Sequence, residues 1–270
     1  FLGIIAINVQ SYNQFIMTNL THLFENIQEV AYQLNFKGWA ESNAGNLSIR
    51  LDDFKSEGVI QRANMLPEAF PHLANATILV TEKGKRMREV SRSAKNTTVI
   101  LRIDSSGDSY SILSNIDVIP TSELYTHLAI HNMIAKRGTG ERAVLHSHVT
   151  ELIAITHFKA YCNEEILNDL LWKMHPETVV FIPKGIGLVP FEIPGSVDIA
   201  RATLIALKEH PIALWEKHGV FAIAEDIQKC YDLIEIAAKA VKIFLLCKDS
   251  GVEPTGLNKD QLNELRKIKF

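Results

Sequence analysis

The chain predicts a single α/β domain built on a mixed or antiparallel central sheet flanked by helices. Segments of helical periodicity alternate with short runs of branched apolar residues, and no repeat, low-complexity tract or linker divides residues 1–270. Composition agrees: 47% hydrophobic and 22% charged residues over 270 positions supply a sizeable core. Leu20, Leu23, Phe24, Ile27, Val30, Ala31 and Leu34 recur at helical spacing, so a helix over about 13–37 opens the domain and Gly38 stops it. Asn46–Leu51, Ile78–Thr81 and Thr98–Ile103 alternate or run apolar and predict strands. Between the first two, residues 52–76 carry prolines, asparagines and little periodicity, which predicts a long excursion partly covering a site. Pro120 opens a helix reaching about Ala135, with Thr121 or Ser122 as its cap. Further strands are expected at Val144–His148, Val179–Ile182 and Ile212–Trp215, and helices at Ser196–His210 and Ile227–Cys247.

Charge and cysteine usage exclude several classes. Lys and Arg number 28 against 31 Asp and Glu, so no polybasic face for nucleic acid or anionic lipid is expected. Any phosphate is bound as a small ligand held locally. Cys162, Cys230 and Cys247 are odd in number and far apart, which argues for buried, reduced thiols rather than a disulfide framework. The apolar start Phe1–Ile7 is far shorter than the ~20 residues of a membrane span, and no basic segment precedes it. The expectation is a cytoplasmic protein that does not enter the membrane.

Chemistry concentrates first at His146-Ser147-His148, which follows the strand-like run Ala143-Val144-Leu145. Alternation along a strand points both imidazoles to one face, where they can grip one ion. His218 lies at a glycine turn between two apolar runs that read as a hairpin, and supplies a third candidate ligand. Three neutral histidines with an open position make a catalytic rather than a structural zinc site. With ten histidines in the chain, however, an isolated HxH is more often ordinary than metallic.

Asn43-Ala44-Gly45-Asn46 forms a turn in which the glycine lets backbone approach an anion and the amides donate to phosphate oxygens. Thr81-Glu82-Lys83-Gly84-Lys85 is a second turn of that kind, and each turn alone does no more than reverse a chain. Glu123 starts a helix, the ordinary place for a carboxylate; beside a metal it can act as a general base. His127 and His131 have the i, i+4 spacing of a metalloprotease helix, but Leu128 stands where the glutamate base is required. That pair is expected to pack the helix with polar tips.

The ordered combination Gly38-Trp39, Asn43-x-Gly45-Asn46-Leu47, Val80-Thr81-x-x-Gly84-Lys85, Pro120-Thr121-Ser122-Glu123, His146-x-His148 and Trp215-x-x-His218-Gly219-Val220-Phe221 resembles the class II aldolase/adducin family. The resemblance runs from about Gly38 to Cys247 and includes Leu171-Trp172, Glu177 and Pro183-x-Gly185-x-Gly187. It implies one zinc ion per subunit on His146, His148 and His218, Glu123 as catalytic glutamate, and Asn43, Gly45, Asn46, Thr121 and Ser122 around a substrate phosphate. It also implies a homotetramer with sites at subunit interfaces, where Glu177 reaches into the neighbouring site. The implied reaction is metal-assisted aldol cleavage of a ketose phosphate. Two positions depart from the pattern: Ala44 replaces an expected glycine, and Lys83 an expected serine near the phosphate.

Aldolases for other sugar stereoisomers fit equally on spacing, whereas the family's epimerases carry aspartate where Glu123 stands. An adducin-like scaffold predicts missing histidines, and all three are present. A metal-dependent hydrolase stays open.

Overall fold

The computed structural model describes residues 9–52, 54, 63–113 and 118–268, with side chains from Leu20 onward. In chain order the elements are α1 (Val9–Phe36), β1 (Asn46–Arg50), β2 (Asn64–Met65), β3 (Thr77–Thr81), α2 (Met87–Val90), β4 (Thr98–Ile103), β5 (Ser109–Ile112) and α3 (Leu124–Arg137). There follow β6 (Ala143–Ser147), α4 (Thr150–Ile155), α5 (Glu164–Met174), α6 (Pro176–Phe181), β7 (Gly187–Val189), α7 (Val197–Glu209), β8 (Ile212–Trp215), β9 (Gly219–Ala224), α8 (Ile227–Asp249) and α9 (Lys259–Leu265). The strands form one sheet in the order β2-β5-β4-β3-β1-β6-β9-β8-β7. All neighbours are antiparallel except β7 and β8, so the sheet is mixed, as the sequence predicts.

Alternation assigns the two faces. Leu47, Ile49, Leu145 and Ala222 pack with Ile27, Val30 and Leu34 of α1 and Ile234, Ala238 and Val241 of α8. Their neighbours Val144, Phe221 and Ile223 pack with Ile130 and Ile134 of α3 and Ile199 and Leu207 of α7. Asn46 is paired with His146 across β1 and β6, and His146 with Phe221 across β6 and β9, so these three form one row on the α3 face.

Several sequence expectations need correction. The run Val179–Ile182 is not a strand but the end of α6 and its C-terminal cap residue. Pro176 occupies its first turn, and the Thr178 hydroxyl donates to the carbonyls of Leu171 and His175, so local bonding with α5 overrides the β preference of Thr-Val-Val. Helix α3 begins at Leu124 with Glu123 in the cap position before it, and neither Thr121 nor Ser122 caps it. Segment 120–121 is held to the sheet instead, through the Glu82–Pro120 bridge and the Thr121 N–H donating to the Thr81 carbonyl at 3.0 Å. Helix α5, missed on periodicity, has a good start signal: the Asn163 side chain accepts from the Ile166 N–H at 3.0 Å. All three cysteines are free, but only Cys230 is buried. Of the excursion 52–76, part lies outside the described residues; the rest packs Phe70 and Leu73 under β3, β4 and α3.

Candidate metal centre and active site

The three candidate histidines converge. His146 is the penultimate residue of β6, His148 follows the strand, and His218 sits in the β8–β9 turn, where Lys217 adopts φ +60° and its N–H donates to the Thr156 hydroxyl at 2.9 Å. Their ring centroids lie 5.2 Å (His146–His148), 5.3 Å (His146–His218) and 4.9 Å (His148–His218) apart. One nitrogen from each falls within 4.8 Å of the others. His146 is pinned by stacking on Phe221 at 4.4 Å and by its Nδ1–H donating to the Val220 carbonyl at 3.1 Å. That tautomer leaves Nε2 bare.

The donor set fits a metal ion. His146 Nε2 and His218 Nδ1 are buried and without a hydrogen-bond partner, an arrangement that is costly unless something is coordinated or bonded there. Burial, reinforced by the neighbouring histidines, holds His146 well below the usual histidine pKa, and burial also lowers that of His218. Neutral imidazoles are what a cation requires. His148 Nδ1 lies 2.7 Å from the Glu41 carboxylate, the orienting contact expected behind a metal-binding imidazole. Desolvation is the largest single influence on Glu41 and acts upward, but the hydrogen bond with His148, a backbone hydrogen bond and the charges of His148 and His218 together outweigh it, and its pKa is lowered. Glu41 was not foreseen from sequence; its only signal is an acidic residue two places before the Asn43 turn.

A cleft of about 400 Å³ opens onto the histidines. Asn43, Gly45, Asn46, Thr121, Ser122, Glu123, His146, His148 and His218 all line it, so nine of the ten predicted site residues come together. Gly45 has φ +80°, and a side chain there would approach the His146 carbonyl at 3.2 Å, which explains a glycine in this turn. Glu123 is 8% exposed, its Oε2 lying 3.7 Å from His146 Nε2 and accepting from Asn46 Nδ2–H at 2.9 Å. Burial raises its pKa while the Asn46 bond opposes the rise. Lys83 and Lys85 also line the cleft, and Lys85 is 3.5 Å from Glu82.

Glu177 stands apart. It is exposed on α6, does not line the cleft of its own chain, and pairs with His175 Nδ1 at 2.9 Å. His127 and His131 lie outside the histidine group; both are fully buried against β1, and three of their four ring nitrogens bond to Ser48 and Asn46.

Residues 25–245 match the sequence profile of the Class II Aldolase and Adducin N-terminal domain. The chain belongs to the class II aldolase and adducin family. Over 244 residues it is 34% identical to the rhamnulose-1-phosphate aldolase of Bacteroides thetaiotaomicron, covering 88% of this chain and 91% of that protein. A sugar-phosphate aldolase from Thermotoga maritima superposes with a TM-score of 0.78 at 34% identity, covering 88% of this chain and 100% of that one. The fold is shared with the L-fuculose-1-phosphate aldolase of Thermus thermophilus, at TM-score 0.58 and 18% identity, covering 87% and 99% of the two chains. This class II aldolase thus carries the histidine group at the place where an adducin-like scaffold would need none. No helix among its described residues is long and apolar enough to cross a membrane.

Proposed function

We propose that this class II aldolase is zinc-dependent and reversibly cleaves L-rhamnulose 1-phosphate to dihydroxyacetone phosphate and L-lactaldehyde, serving L-rhamnose breakdown in the cytoplasm. The observation that carries the reading is the convergence of three histidine nitrogens and one buried carboxylate at the floor of a cleft whose wall is rich in N–H and O–H donors. Relatives named for that activity, matched along most of their length, support the choice of substrate.

His146, His148 and His218 would hold the ion, with Glu41 orienting His148. When bound, zinc supplies Lewis acidity that stabilises negative charge on the keto and neighbouring oxygens as the C3–C4 bond breaks. The sugar's C4 hydroxyl passes its proton to the Glu177 carboxylate of a neighbouring subunit and becomes the aldehyde, while Glu123 delivers a proton to C3; in condensation both transfers run backwards. Its burial suits the task, because raising the pKa of the carboxyl eases its giving as well as its taking of a proton. Asn43, Gly45, Asn46, Thr121 and Ser122 hold the phosphate, and Lys83 adds a point charge at the rim. Glu177 is offered to the aldehyde side of a neighbouring subunit's site in a homotetramer; its exposure and its absence from its own cleft suit that role.

The test is coupled detection of dihydroxyacetone phosphate from L-rhamnulose 1-phosphate and L-fuculose 1-phosphate, with chelator and with zinc restored. Chelator-sensitive cleavage favouring rhamnulose phosphate is expected. Preference for fuculose phosphate would correct the stereochemistry alone, and absence of cleavage by the zinc-loaded protein would overturn the reading.

A further inference from the structure

Beneath the cleft, four polar side chains continue inward from Glu123 between the sheet and α3. Asn46 Nδ2 meets Glu123 Oε2 at 2.9 Å, Asn46 Oδ1 meets His127 Nε2, Ser48 Oγ meets His127 Nδ1 at 2.7 Å, and Ser48 Oγ meets His131 Nε2 at 2.8 Å. The chain ends at His131 Nδ1, which is buried and has no partner. Asn46 and Ser48 are on the same face of β1, two residues apart, and His127 and His131 on the same face of α3, four apart, so strand and helix periods bring them into one line.

With both rings neutral three hydrogen arrangements satisfy every link, one of them having Ser48 accept from both rings with its own buried hydroxyl hydrogen left unpaired, and the unpaired groups choose among them. If every donor points toward the cleft, His131 Nε2–H donates to Ser48, the Ser48 hydroxyl to His127 Nδ1, His127 Nε2–H to Asn46 Oδ1, and the Asn46 amide N–H to the Glu123 carboxylate. The atom left over is then a bare lone pair on His131. In the reverse arrangement the leftover atom is a buried N–H donor on His131, and the Asn46 carbonyl faces a carboxylate oxygen that must carry a proton. An orphaned buried donor is the costlier and rarer of the two. Both rings are held neutral by burial, so each has a single N–H to place.

We infer that His127, backed by Ser48 and His131, is a positioning residue for the aldolase reaction: it locks the Asn46 side chain with its N–H, not its carbonyl, against Glu123. Without that lock the amide turns freely, and in half its orientations it sets oxygen against oxygen. The inference rests on the proposed proton-handling role of Glu123, although the hydrogen arrangement itself does not.

The test uses the zinc-loaded full chain and its His127→Phe, His127→Gln and Ser48→Ala variants, together with two-bond 1H–15N spectra of the histidine rings of the unmodified protein. The spectra are expected to show His127 and His131 as neutral Nε2–H tautomers; an Nδ1–H tautomer at either ring overturns the arrangement, whether or not the protein cleaves any sugar phosphate. His127→Phe is expected to bind zinc as tightly as the parent while kcat falls about tenfold to a hundredfold. His127→Gln, which restores an N–H near the Nε2 position, is expected to recover most of that loss, and Ser48→Ala to fall between. Equal loss in the Phe and Gln variants, or a loss that follows zinc release, assigns His127 to packing and overturns the inference. If His127→Phe does not fold, the Gln and Ser48→Ala comparison and the tautomers decide. Absence of cleavage by the parent protein instead refutes the proposed reaction and leaves the tautomer result standing.

Discussion

A single methyl group at position 219 should disable the centre. Gly219 is outside the left-handed backbone region, so an alanine there meets no conformational penalty; its obstacle is contact. The added Cβ would lie 2.6 Å from the Ser147 carbonyl oxygen, 2.9 Å from His146 Cε1 and 3.1 Å from His148 Cδ2. The first neighbour is backbone of β6 and cannot swing away, so the strand pair must part or both imidazoles must move. Overpacking of this kind costs about 1–3 kcal/mol, which for a chain of this size lowers Tm by about 2–6 °C. The larger effect is on the metal: shifting orienting contacts costs about tenfold to a hundredfold in affinity. Competition for zinc against a chelating dye, read beside thermal melts, separates the two. Gly138→Ala is the control, because Gly138 closes α3 at φ +67° and a Cβ added there has nothing within 4 Å; it should lose about 1 kcal/mol of stability and no zinc affinity. Parental zinc affinity in Gly219→Ala would refute the reasoning.

Other expectations follow from the same geometry. His148→Ala should lose both zinc and cleavage; bound zinc with full turnover would remove His148 from the ligand set. Glu123→Gln should keep zinc and lose about 10²–10⁴ in kcat, and a loss under tenfold would assign proton transfer elsewhere. Thr121→Ala, which removes a buried hydroxyl from the cleft wall, should raise KM for the sugar phosphate about tenfold through one lost hydrogen bond to an anion; unchanged KM would move the phosphate away from that wall. Burial drives His127 and His131 down to about 3, so below pH 6.5 the unfolded chain binds protons that the folded one refuses. Stability should therefore be full above pH 6.5 and decline toward pH 3, by roughly 2 kcal/mol per residue at pH 5. Denaturant titrations at pH 8, 6 and 5 check this, and an identical slope in a His127→Gln, His131→Gln double variant would exclude these two groups as its source.

Much of the site could be read in the chain because the relevant residues obey short-range rules. His146 and His148 share a face for the same reason that Leu145 and Ser147 share the other, and His218 sits in the turn of a hairpin marked by Gly219. The Asn43–Asn46 turn is visible through its glycine, and the structure gives that glycine a left-handed φ and a carbonyl neighbour. Glu41 was illegible because nothing local says that a loop carboxylate will meet a histidine 107 positions later. The run Val179–Ile182 misled for the opposite reason: its β-branched residues state a strand preference that Pro176 and the Thr178 hydroxyl defeat through contacts with the preceding helix. Glu177 is informative only if a second subunit supplies its surroundings.

His127 and His131 show where a correct local reading stops short. Helical spacing places them on one face, and the absent glutamate rules out a metalloprotease helix, so packing is the natural conclusion. What spacing cannot say is which strand lies opposite. The antiparallel register that pairs Asn46 with His146 puts Ser48 with Val144 two places further along β1, directly under α3. A serine in a buried strand would ordinarily be a poor choice beside Leu47 and Ile49. Here its hydroxyl bridges two buried rings, and the ring nearer the cleft reaches the amide that touches Glu123. The sheet thus carries the contact to the Glu123 carboxylate on its α3 face, in the same row that stacks His146 on Phe221. The β6–β9 register that stacks His146 on Phe221 and the β1–β6 register that sets Asn46 beside Glu123 meet at His146, so a slip of one residue in β1 would turn Asn46 and Ser48 to the other face and take the hydrogen bond from Glu123.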